Sequence, residues 1–354
     1  MIPTTIAIFV KNLTSGGAEK QAVLLAKALS IDYDVHFIVF NAAKTHQKYL
    51  DLINETPEIH LALFNGGHIS RFCQFCTYIK RSRIELIFSY LTAANLYACL
   101  AGTITGAKVV TGLRNAELPS GKLISDRFLT NHLAVLTIAN CFSGKKNFVS
   151  KGFKEKKIHV IQNCFDNITP FAPKDESDVT TIITVGRFVE QKDYLTAIKS
   201  VAKAYIKCNN IRFCIIGFGE LEQQIRAWVK EEGIAGITDI LINPDNISQY
   251  LNKADIYLST SLFEGTSNSI MEGMNANLPI VATNVGDNSC LVKDGENGFL
   301  AEKRDIDSLA HNLMTLIMNK NMRQQFGKRS KETLYDNYSL NTFQDRYIQT
   351  IKEL

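Results

Sequence analysis

Two carboxylates, Glu264 and Glu272, stand eight positions apart in the segment Ser261–Gly273, in a setting typical of a ligand-binding loop. The apolar run Ala254–Ser259 before them predicts a buried strand, and a short helical segment follows. Glu264 falls in the loop and Glu272 about one turn inside the helix. Each carboxylate can accept hydrogen bonds from a pair of sugar hydroxyls. The pattern therefore indicates hydroxyl-binding groups on both sides of a strand-to-helix turn.

The turn itself suits a phosphate. Gly265 allows the backbone to approach a ligand closely, and Thr266 follows it. Ser267 or Asn268 can cap the helix that begins there. Free N–H groups at a helix start bind phosphate. Two hydroxyl-binding carboxylates around a phosphate-binding turn predict a nucleotide-sugar site.

Two cations follow the first predicted strand of the second half of the chain. Gly186 and Arg187 close that strand, and Lys192 precedes a helix start predicted at Asp193. Arg187 and Lys192 are therefore expected at the carboxyl edge of the sheet. There they would offset charge on a departing nucleotide diphosphate. The alternative is a surface ion pair with Glu190 or Asp193, and the nearby glutamates favour the functional interpretation.

Glycines occur at two further strand-to-helix turns. Gly16 and Gly17 follow the first predicted strand and open the first helix, where backbone N–H groups can meet a phosphate or sugar. The alternative is merely a tight turn. The segment Gly217–Gly219 has the same ambiguity, and close strand–helix packing is the favoured interpretation there.

Together these motifs resemble the retaining glycosyltransferases of family 4, which have the GT-B fold. Glu264 and Glu272 match the E-x7-E signature of that family. The other matches, which cover most of the chain, are Ser15–Glu19, Val185–Asp193, Ile216–Glu220, Ala254–Asp255, Leu278–Ala282 and Asp294–Leu300.

The resemblance implies roles for these residues. Arg187 and Lys192 would bind the pyrophosphate, Glu272 the ribose and Glu264 the transferred sugar. The loop with Gly16 and Gly17 would face the donor phosphate and the acceptor. No cofactor is expected, and a UDP-sugar donor is expected in preference to a GDP-sugar.

The chain departs from the family pattern at two places. Many relatives carry a histidine near the reacting sugar, but residues 111–117 contain none. Arg114 and Asn115 are the candidates for the polar residue there, with Asn115 taken as catalytic and Glu117 a weaker choice. The second departure is the segment Val285–Cys290, where Gly286 can still bring a backbone N–H to the sugar.

The sequence predicts a metal-independent enzyme. Metal-dependent transferases use an Asp-x-Asp pair, and Asp32–Asp34 and Asp305–Asp307 both fit that pattern. The first precedes a strand, at the edge opposite the expected site. The second begins a predicted helix, where acidic side chains interact favourably with the helix dipole. Both are interpreted as structural, as is the lone Cys73–Cys76 pair.

Composition limits the class of protein. The chain has 354 residues, 45% of them hydrophobic, and a net charge of +4, which does not by itself imply nucleic acid. Eight cysteines without framework spacing suggest a reducing cytoplasm. Neither a signal peptide nor a membrane span is predicted. Basic residues crowd positions 145–157, with Lys80–Arg83 upstream, and solvated loop and helix ends are the favoured interpretation. The alternative is contact with anionic lipid headgroups at the inner face of the membrane or with a pyrophosphate-linked acceptor.

Alternating strand and helix patterns predict a parallel α/β fold in two halves joined near residue 170. We expect GT-B architecture, with two Rossmann-like domains facing across a cleft. Residues 1–168 would form the acceptor domain and 169–334 the donor domain. A helix over about 335–354 would pack back on the first domain, as the resemblance implies.

The predicted function is retaining transfer of a hexosyl-type sugar from a nucleotide-diphosphate donor. The acceptor would be a glycan or a polyprenyl-linked glycan, in cell-surface polysaccharide assembly. A dehydrogenase is disfavoured because no Gly-x-Gly-x-x-Gly follows a strand with an acidic partner further on. A nucleotide-sugar-binding protein without turnover is the alternative.

Overall fold

The computed structural model describes residues 3–14, 16–114, 117–172 and 177–354. The chain forms two compact units, the first from Met1–Asp166 with Tyr338–Leu354 and the second from Asn167–Asn337. Each unit is a parallel sheet covered by helices. This confirms the predicted α/β class with two Rossmann-like domains.

The first unit contains a seven-stranded sheet among the described residues. Its strands are β1 (Thr5–Val10), β2 (Asp34–Val39), β3 (Ile59–Leu63), β4 (Leu86–Tyr90), β5 (Lys108–Leu113), β6 (Leu136–Ala139) and β7 (Ile158–Val160). Its helices are α1 (Gly17–Leu29), α2 (Gln47–Asn54), α3 (His68–Arg81), α4 (Thr92–Thr105), α5 (Ser120–Phe128) and α6 (Phe142–Ser150).

The strands of the first unit lie in the order β3-β2-β1-β4-β5-β6-β7. The inner strands are apolar along almost their whole length because helices cover both faces of the sheet. The order reverses between β1 and β4, so the carboxyl ends of these two neighbours define the switch point of this sheet.

The second unit contains a six-stranded sheet among the described residues. Its strands are β8 (Thr180–Val185), β9 (Ile211–Gly217), β10 (Thr238–Ile242), β11 (Ile256–Ser259), β12 (Ile280–Thr283) and β13 (Gly298–Ala301). Its helices are α7 (Tyr194–Lys207), α8 (Glu222–Glu231), α9 (Ile247–Lys253), α10 (Asn268–Asn275), α11 (Asn288–Leu291), α12 (Ile306–Met318) and α13 (Lys320–Tyr338).

The end of the chain differs from the single helix predicted over 335–354. Helix α13 runs to Tyr338, and a separate helix, α14 (Leu340–Glu353), begins after Ser339. The Ser339 hydroxyl accepts a hydrogen bond from the Thr342 N–H and so caps α14. A serine in the extended conformation at this position ends one helix and starts the next.

Helix α14 packs against α1 within the first unit. Phe343, Tyr347 and Ile351 recur every four residues on one face and are buried in the same hydrophobic cluster as β1 and α1. Burial of each such side chain contributes about 1.5–3 kcal/mol. This helical face therefore accounts for the return of the chain to the first sheet.

None of the helices in the described ranges is both long enough and apolar enough to cross a membrane.

Candidate functional site

The predicted site residues of the second unit lie at the switch point of its sheet. The strand order is β10-β9-β8-β11-β12-β13, so β8 and β11 are parallel neighbours although they are far apart in the chain, with carboxyl ends at Val185 and Ser259. Lys192 lies in the loop after β8, and Glu264 lies in the loop after β11. Ligands of open α/β sheets bind outside the carboxyl ends of strands at such a point.

Lys192 and Glu264 form an ion pair there. The Lys192 Nζ lies 2.5 Å from the Glu264 Oε1, and only 17% and 9% of the two side chains are exposed. The Ser261 hydroxyl donates to the same carboxylate oxygen at 2.7 Å. A charge-assisted bond of this length holds both groups in one geometry. Glu264 is thus positioned by one cation and one hydroxyl.

Backbone contacts fasten the two loops to each other. The Leu262 N–H donates to the Gln191 carbonyl at 2.8 Å, and Gln191 Nε2 donates to the Phe263 carbonyl at 2.9 Å. The Thr260 hydroxyl donates to the Lys192 carbonyl at 3.1 Å. These bonds satisfy loop polar groups and fix the position of Lys192 relative to the end of β11.

Gly186 packs closely against the Lys192 side chain. A Cβ at residue 186 would lie 3.3 Å from both Lys192 Cε and the Tyr194 hydroxyl. Tyr194 donates to the Gly186 carbonyl at 2.8 Å, and Tyr257 donates to the Val185 carbonyl at 3.2 Å. Burial raises the pKa of both tyrosines, so both remain neutral donors that hold the end of β8.

Arg187 has no ion-pair partner among the described residues, and its side chain is exposed. The alternative of surface pairs with Glu190 or Asp193 is wrong for Lys192, which pairs with Glu264 instead. Asp193 caps α7 by accepting from the Thr196 N–H at 3.4 Å, and it also accepts from the Thr196 hydroxyl at 2.7 Å. The loop after β8 therefore presents one paired cation and one exposed cation.

Helix α10 begins at Asn268, shortly after Glu264. Ser267 occupies the N-cap position, as predicted, but its side chain makes no capping hydrogen bond, so that part of the expectation is wrong. Thr266 and Ser267 are buried, and Gly265 is half-buried before them. Asn268 opens the helix. The Ser267 hydroxyl instead lies 3.3 Å from that of Ser269, so it does not cover the first helical N–H groups.

Glu272 is the fifth residue of α10 and is half-buried. Its carboxylate lies near the buried Tyr257 and adds to the cause of that tyrosine's raised pKa. Tyr257 also donates a hydrogen bond to the Val185 carbonyl at the end of β8. This tyrosine therefore lies between Glu272 and the end of β8. The positions of Glu264 and Glu272 within loop and helix are as the sequence predicted.

Gly286 packs against the backbone of Glu264. It has φ of +56°, and a Cβ there would lie 2.0 Å from the Glu264 carbonyl oxygen. Only glycine combines this left-handed conformation with such an approach. Gly286 therefore determines where the Glu264 backbone lies.

We expect Gly286→Ala to lower the free energy of unfolding by about 2–5 kcal/mol, combining left-handed strain with overpacking. Gly295 is the matched control, because it also has positive φ, +76°, but nothing lies within 4 Å of its Cβ position. Gly295→Ala should cost only the strain, about 1–2 kcal/mol. Urea unfolding of both variants measures the difference, and equal costs would contradict the packing role of Gly286.

In the first unit, the Glu19 carboxylate lies against the turn at Gly16 and Gly17. Gly16 is the N-cap of α1, and a Cβ there would lie 2.3 Å from Glu19 Oε2. Glu19 also accepts from the Thr14 hydroxyl at 3.0 Å. Gly17 is the first helical residue. A carboxylate folded back over this turn favours hydroxyl donors over a phosphate as its ligand.

A pocket of about 310 Å³ lies beside that turn, at the carboxyl ends of β1, β4 and β5. Its wall includes Lys11, Glu19, Lys122 and the buried Asp126. Asp126 accepts from the Thr92 hydroxyl at 2.5 Å and from Asn95 Nδ2 at 2.9 Å. Burial raises the pKa of Asp126. The pocket offers both donors and acceptors to a polyhydroxyl ligand.

The structure locates two of the three candidates in residues 111–117. Arg114 is buried, with its guanidinium carbon 4.1 Å from the centroid of Tyr90 and Nη2 donating to the Tyr347 hydroxyl at 3.0 Å. It lines the pocket but is held by these aromatic partners. Glu117 is exposed. Asn115 lies outside the described residues.

The second Asp-x-Asp pair begins a helix. Asp305 is the N-cap of α12 and accepts from the Ser308 N–H at 3.0 Å. Asp32 of the first pair accepts from Gln344 Nε2 at 2.8 Å. Both contacts are structural in character, which agrees with the interpretation given to these aspartates.

Comparisons with known proteins agree with this architecture. Residues 166–333 match the family model described as Glycosyl transferases group 1. The Anabaena protein HepE in complex with UDP superimposes with a TM-score of 0.85 at 19% identity, over 99% of this chain and 100% of that chain. A likeness of this extent shows the GT-B fold.

Two curated relatives are glycosyltransferases. One is the Campylobacter jejuni GalNAc-alpha-(1->4)-GalNAc-alpha-(1->3)-diNAcBac-PP-undecaprenol alpha-1,4-N-acetyl-D-galactosaminyltransferase, 24% identical over 99% of this chain and 98% of its own. The other is an Escherichia coli UDP-Gal:alpha-D-GlcNAc-diphosphoundecaprenol alpha-1,3-galactosyltransferase, 32% identical over 48% of this chain and 49% of its own. The family model and both curated relatives are thus described as glycosyltransferases.

Proposed function

We propose that the chain is a retaining glycosyltransferase of family 4 that transfers a sugar from a nucleotide-diphosphate donor. The observation that carries this proposal is the Lys192–Glu264 ion pair at the switch point of the second sheet. It combines a phosphate-binding cation and a hydroxyl-binding carboxylate at the place where such sheets bind ligands. Arg187 supplies a second cation beside it, and Glu272 a second carboxylate on α10.

The donor is a UDP-sugar in preference to a GDP-sugar. Support comes from the E. coli relative, whose name includes UDP-Gal, and from HepE, which was solved with UDP. Glu272 would accept from the ribose hydroxyls, while Arg187 and Lys192 would hold the diphosphate. Glu264 would accept from the hydroxyls of the transferred sugar.

The reaction replaces one bond at the anomeric carbon by another on the same face. The bond from that carbon to the diphosphate oxygen breaks, and its electron pair leaves with the nucleotide. The acceptor oxygen forms the new bond, and its proton passes to the departing phosphate oxygen. Arg187 and Lys192 stabilise the charge that develops on the diphosphate, in place of a metal ion.

The acceptor is a glycan or a polyprenyl-diphosphate-linked glycan, and the product belongs to a cell-surface polysaccharide. Support comes from both curated relatives, whose names include undecaprenol-linked diphosphate glycans. The pocket beside α1 would receive the acceptor hydroxyls, because Glu19 and Asp126 line it. A carboxylate at the glycine turn suits such hydroxyls.

Turnover tests the proposal. The purified chain is incubated with a panel of UDP-sugars and undecaprenyl-diphosphate-linked glycans, and products are identified by mass spectrometry and anomeric proton couplings. We expect sugar transfer with the donor's anomeric configuration kept. Thermal stabilisation by a UDP-sugar without transfer or donor hydrolysis would favour a binding protein, and an inverted linkage would contradict the retaining mechanism.

Transfer should not require a divalent metal. We expect the initial rate in excess EDTA to stay within about threefold of the untreated rate, because Arg187 and Lys192 supply the positive charge. The assay is run well below the melting temperature of the chelated protein. Activity abolished by EDTA and restored by Mn²⁺ would refute this expectation.

Two neighbouring helices of the first unit, α4 and α5, expose apolar side chains that would contact a membrane peripherally from the cytoplasmic side. Leu100 and Ile104 are exposed one turn apart on α4. Ile124 and Phe128 are exposed one turn apart on α5. Arg127 is exposed beside them. Apolar side chains flanked by cations suit an anionic bilayer surface.

Vesicle co-sedimentation tests this contact. We expect the chain to sediment with vesicles containing anionic lipid, and Phe128→Glu to reduce the bound fraction severalfold, because it places a carboxylate against anionic headgroups. Ile206→Glu, which also replaces an exposed isoleucine, on α7, is the control and should bind as wild type does. Equal loss in both variants, or no binding to anionic vesicles, would contradict a specific contact.

A further inference from the structure

Three potential metal ligands meet at the amino ends of β2 and β3 in the first unit. Asp34 and His36 lie two residues apart on β2, so their side chains share one face of the sheet. His60 lies on β3, in direct register with His36. The two imidazole rings stack with centroids 4.8 Å apart. Strand register, rather than sequence proximity, brings this set together.

The ligand atoms are already close to coordination distance. Asp34 Oδ2 lies 3.5 Å from His36 Nε2, and Asp34 Oδ1 lies 3.2 Å from His60 Nε2. One ligand atom from each residue lies within 4.8 Å of the other two. Around tetrahedral zinc, with bonds of about 2.0–2.1 Å, neighbouring ligand atoms are roughly 3.3 Å apart. The His60 side chain is 58% exposed, so its ring can close the remaining gap.

An outer partner orients the buried histidine. His36 Nδ1 lies 2.9 Å from the Tyr78 hydroxyl of α3, which leaves Nε2 directed toward Asp34. Histidines that bind metals almost always use their second nitrogen in such a hydrogen bond.

We propose that Asp34, His36 and His60 bind a divalent transition metal of the zinc type, with solvent completing the coordination. Two imidazole nitrogens and one carboxylate are a ligand set that zinc accepts, whereas magnesium and calcium prefer oxygen alone. The metal would join β2 to β3 and, through Tyr78, to α3.

The role of this site is structural. The ligands lie at the amino ends of the strands, whereas Gly16 and the pocket of this unit lie at the carboxyl ends. A bound ion stabilises the folded state because the unfolded chain does not hold the ligands together. Removing the metal should therefore lower the melting temperature and leave sugar transfer intact at lower temperature.

The test uses the untagged, full-length protein after treatment with chelator. Zn²⁺ is titrated against a chromophoric chelator, and the melting temperature is recorded with Zn²⁺ or with Mg²⁺. We expect one equivalent of Zn²⁺ to bind, a rise of several degrees at a hundredfold excess over Kd, and no rise with Mg²⁺. No bound equivalent would overturn the proposal and would leave Asp34 as a hydrogen-bond acceptor for the two histidines.

Variants separate this site from adventitious binding. His60→Ala removes a half-exposed ligand with little effect on packing and should reduce zinc affinity at least tenfold. His60→Cys supplies another zinc ligand and should restore it. His132→Ala, an exposed histidine elsewhere in the first unit, should bind as wild type does. Zinc affinity unchanged in His60→Ala, or lowered equally in His132→Ala, would overturn the assignment.

Discussion

Arg187→Ala should lower turnover by about 10²-fold or more and leave the melting temperature unchanged. The side chain is exposed and has no ion-pair partner in the described part of the chain, so folding does not depend on it. Its charge instead stabilises the diphosphate in the transition state, and loss of one such donor has an effect of this size.

Lys192→Ala should lower turnover to a similar extent, but with a lower melting temperature. Its ammonium neutralises Glu264, whose side chain is only 9% exposed. Removing one partner of a largely buried pair leaves an uncompensated charge in the protein. Arg187→Ala and Lys192→Ala should therefore differ in melting temperature rather than in turnover rate.

Steady-state rates and melting curves for both variants test this expectation. Lys207→Ala is the matched control, because Lys207 is an exposed cation at the far end of α7. Its turnover should stay within threefold of wild type. If Arg187→Ala and Lys192→Ala also stayed within threefold, the proposed diphosphate contact would be wrong.

The strands that carry the site were predictable because both faces of each sheet are covered. An inner parallel strand such as β8 or β11 is then a continuous apolar run bounded by polar residues. Two of the edge strands lack this signature. β3 contains only two buried residues among five, and β13 spans only four residues beginning at Gly298. Neither was identified from the sequence.

The motifs predicted which residues of the second unit would approach the switch point, but not their contacts. Lys192 and Glu264 are 72 positions apart, and they meet only because the strand order reverses at β8. Ser261, which also holds Glu264, was not singled out, although its position three residues earlier was a usable signal. Contacts of this kind depend on topology.

Side-chain direction accounts for the remaining differences. Glu19 folds back over Gly16 from the third helical position, a spacing that the capping-box rule describes but that was not applied to a loop expected to face a phosphate. Asp34 was interpreted from its pairing with Asp32 along the chain. Its neighbours in space are instead His36 and His60, which are found only once the register of β2 and β3 is known.

Replacing Glu264 or Glu272 by glutamine should change different kinetic constants. Glu272 would hold the ribose, which is remote from the bond that breaks, so Glu272→Gln should mainly raise the donor KM by about tenfold. Glu264 would hold the sugar whose anomeric carbon becomes cationic, and such contacts strengthen in the transition state. Glu264→Gln should therefore mainly lower kcat, by about 10²-fold.

The structure sharpens the contrast for Glu264. Glutamine can still accept from the Ser261 hydroxyl, but it cannot neutralise Lys192. Glu264→Gln should therefore lower the melting temperature as well as kcat, because Lys192 is left without its carboxylate. Glu272 has no role in that ion pair, so Glu272→Gln leaves the Lys192–Glu264 geometry in place.

The most direct test of a nucleotide-sugar site at this switch point is the measurement of kcat, donor KM and melting temperature for Glu264→Gln and Glu272→Gln. The account predicts a fall in kcat for the first variant, a rise in donor KM for the second, and a melting temperature for Glu272→Gln close to that of wild type. Parallel losses of kcat in both variants with lowered melting temperatures and unchanged KM would contradict it. Both glutamates would then brace the loop and helix rather than bind the donor.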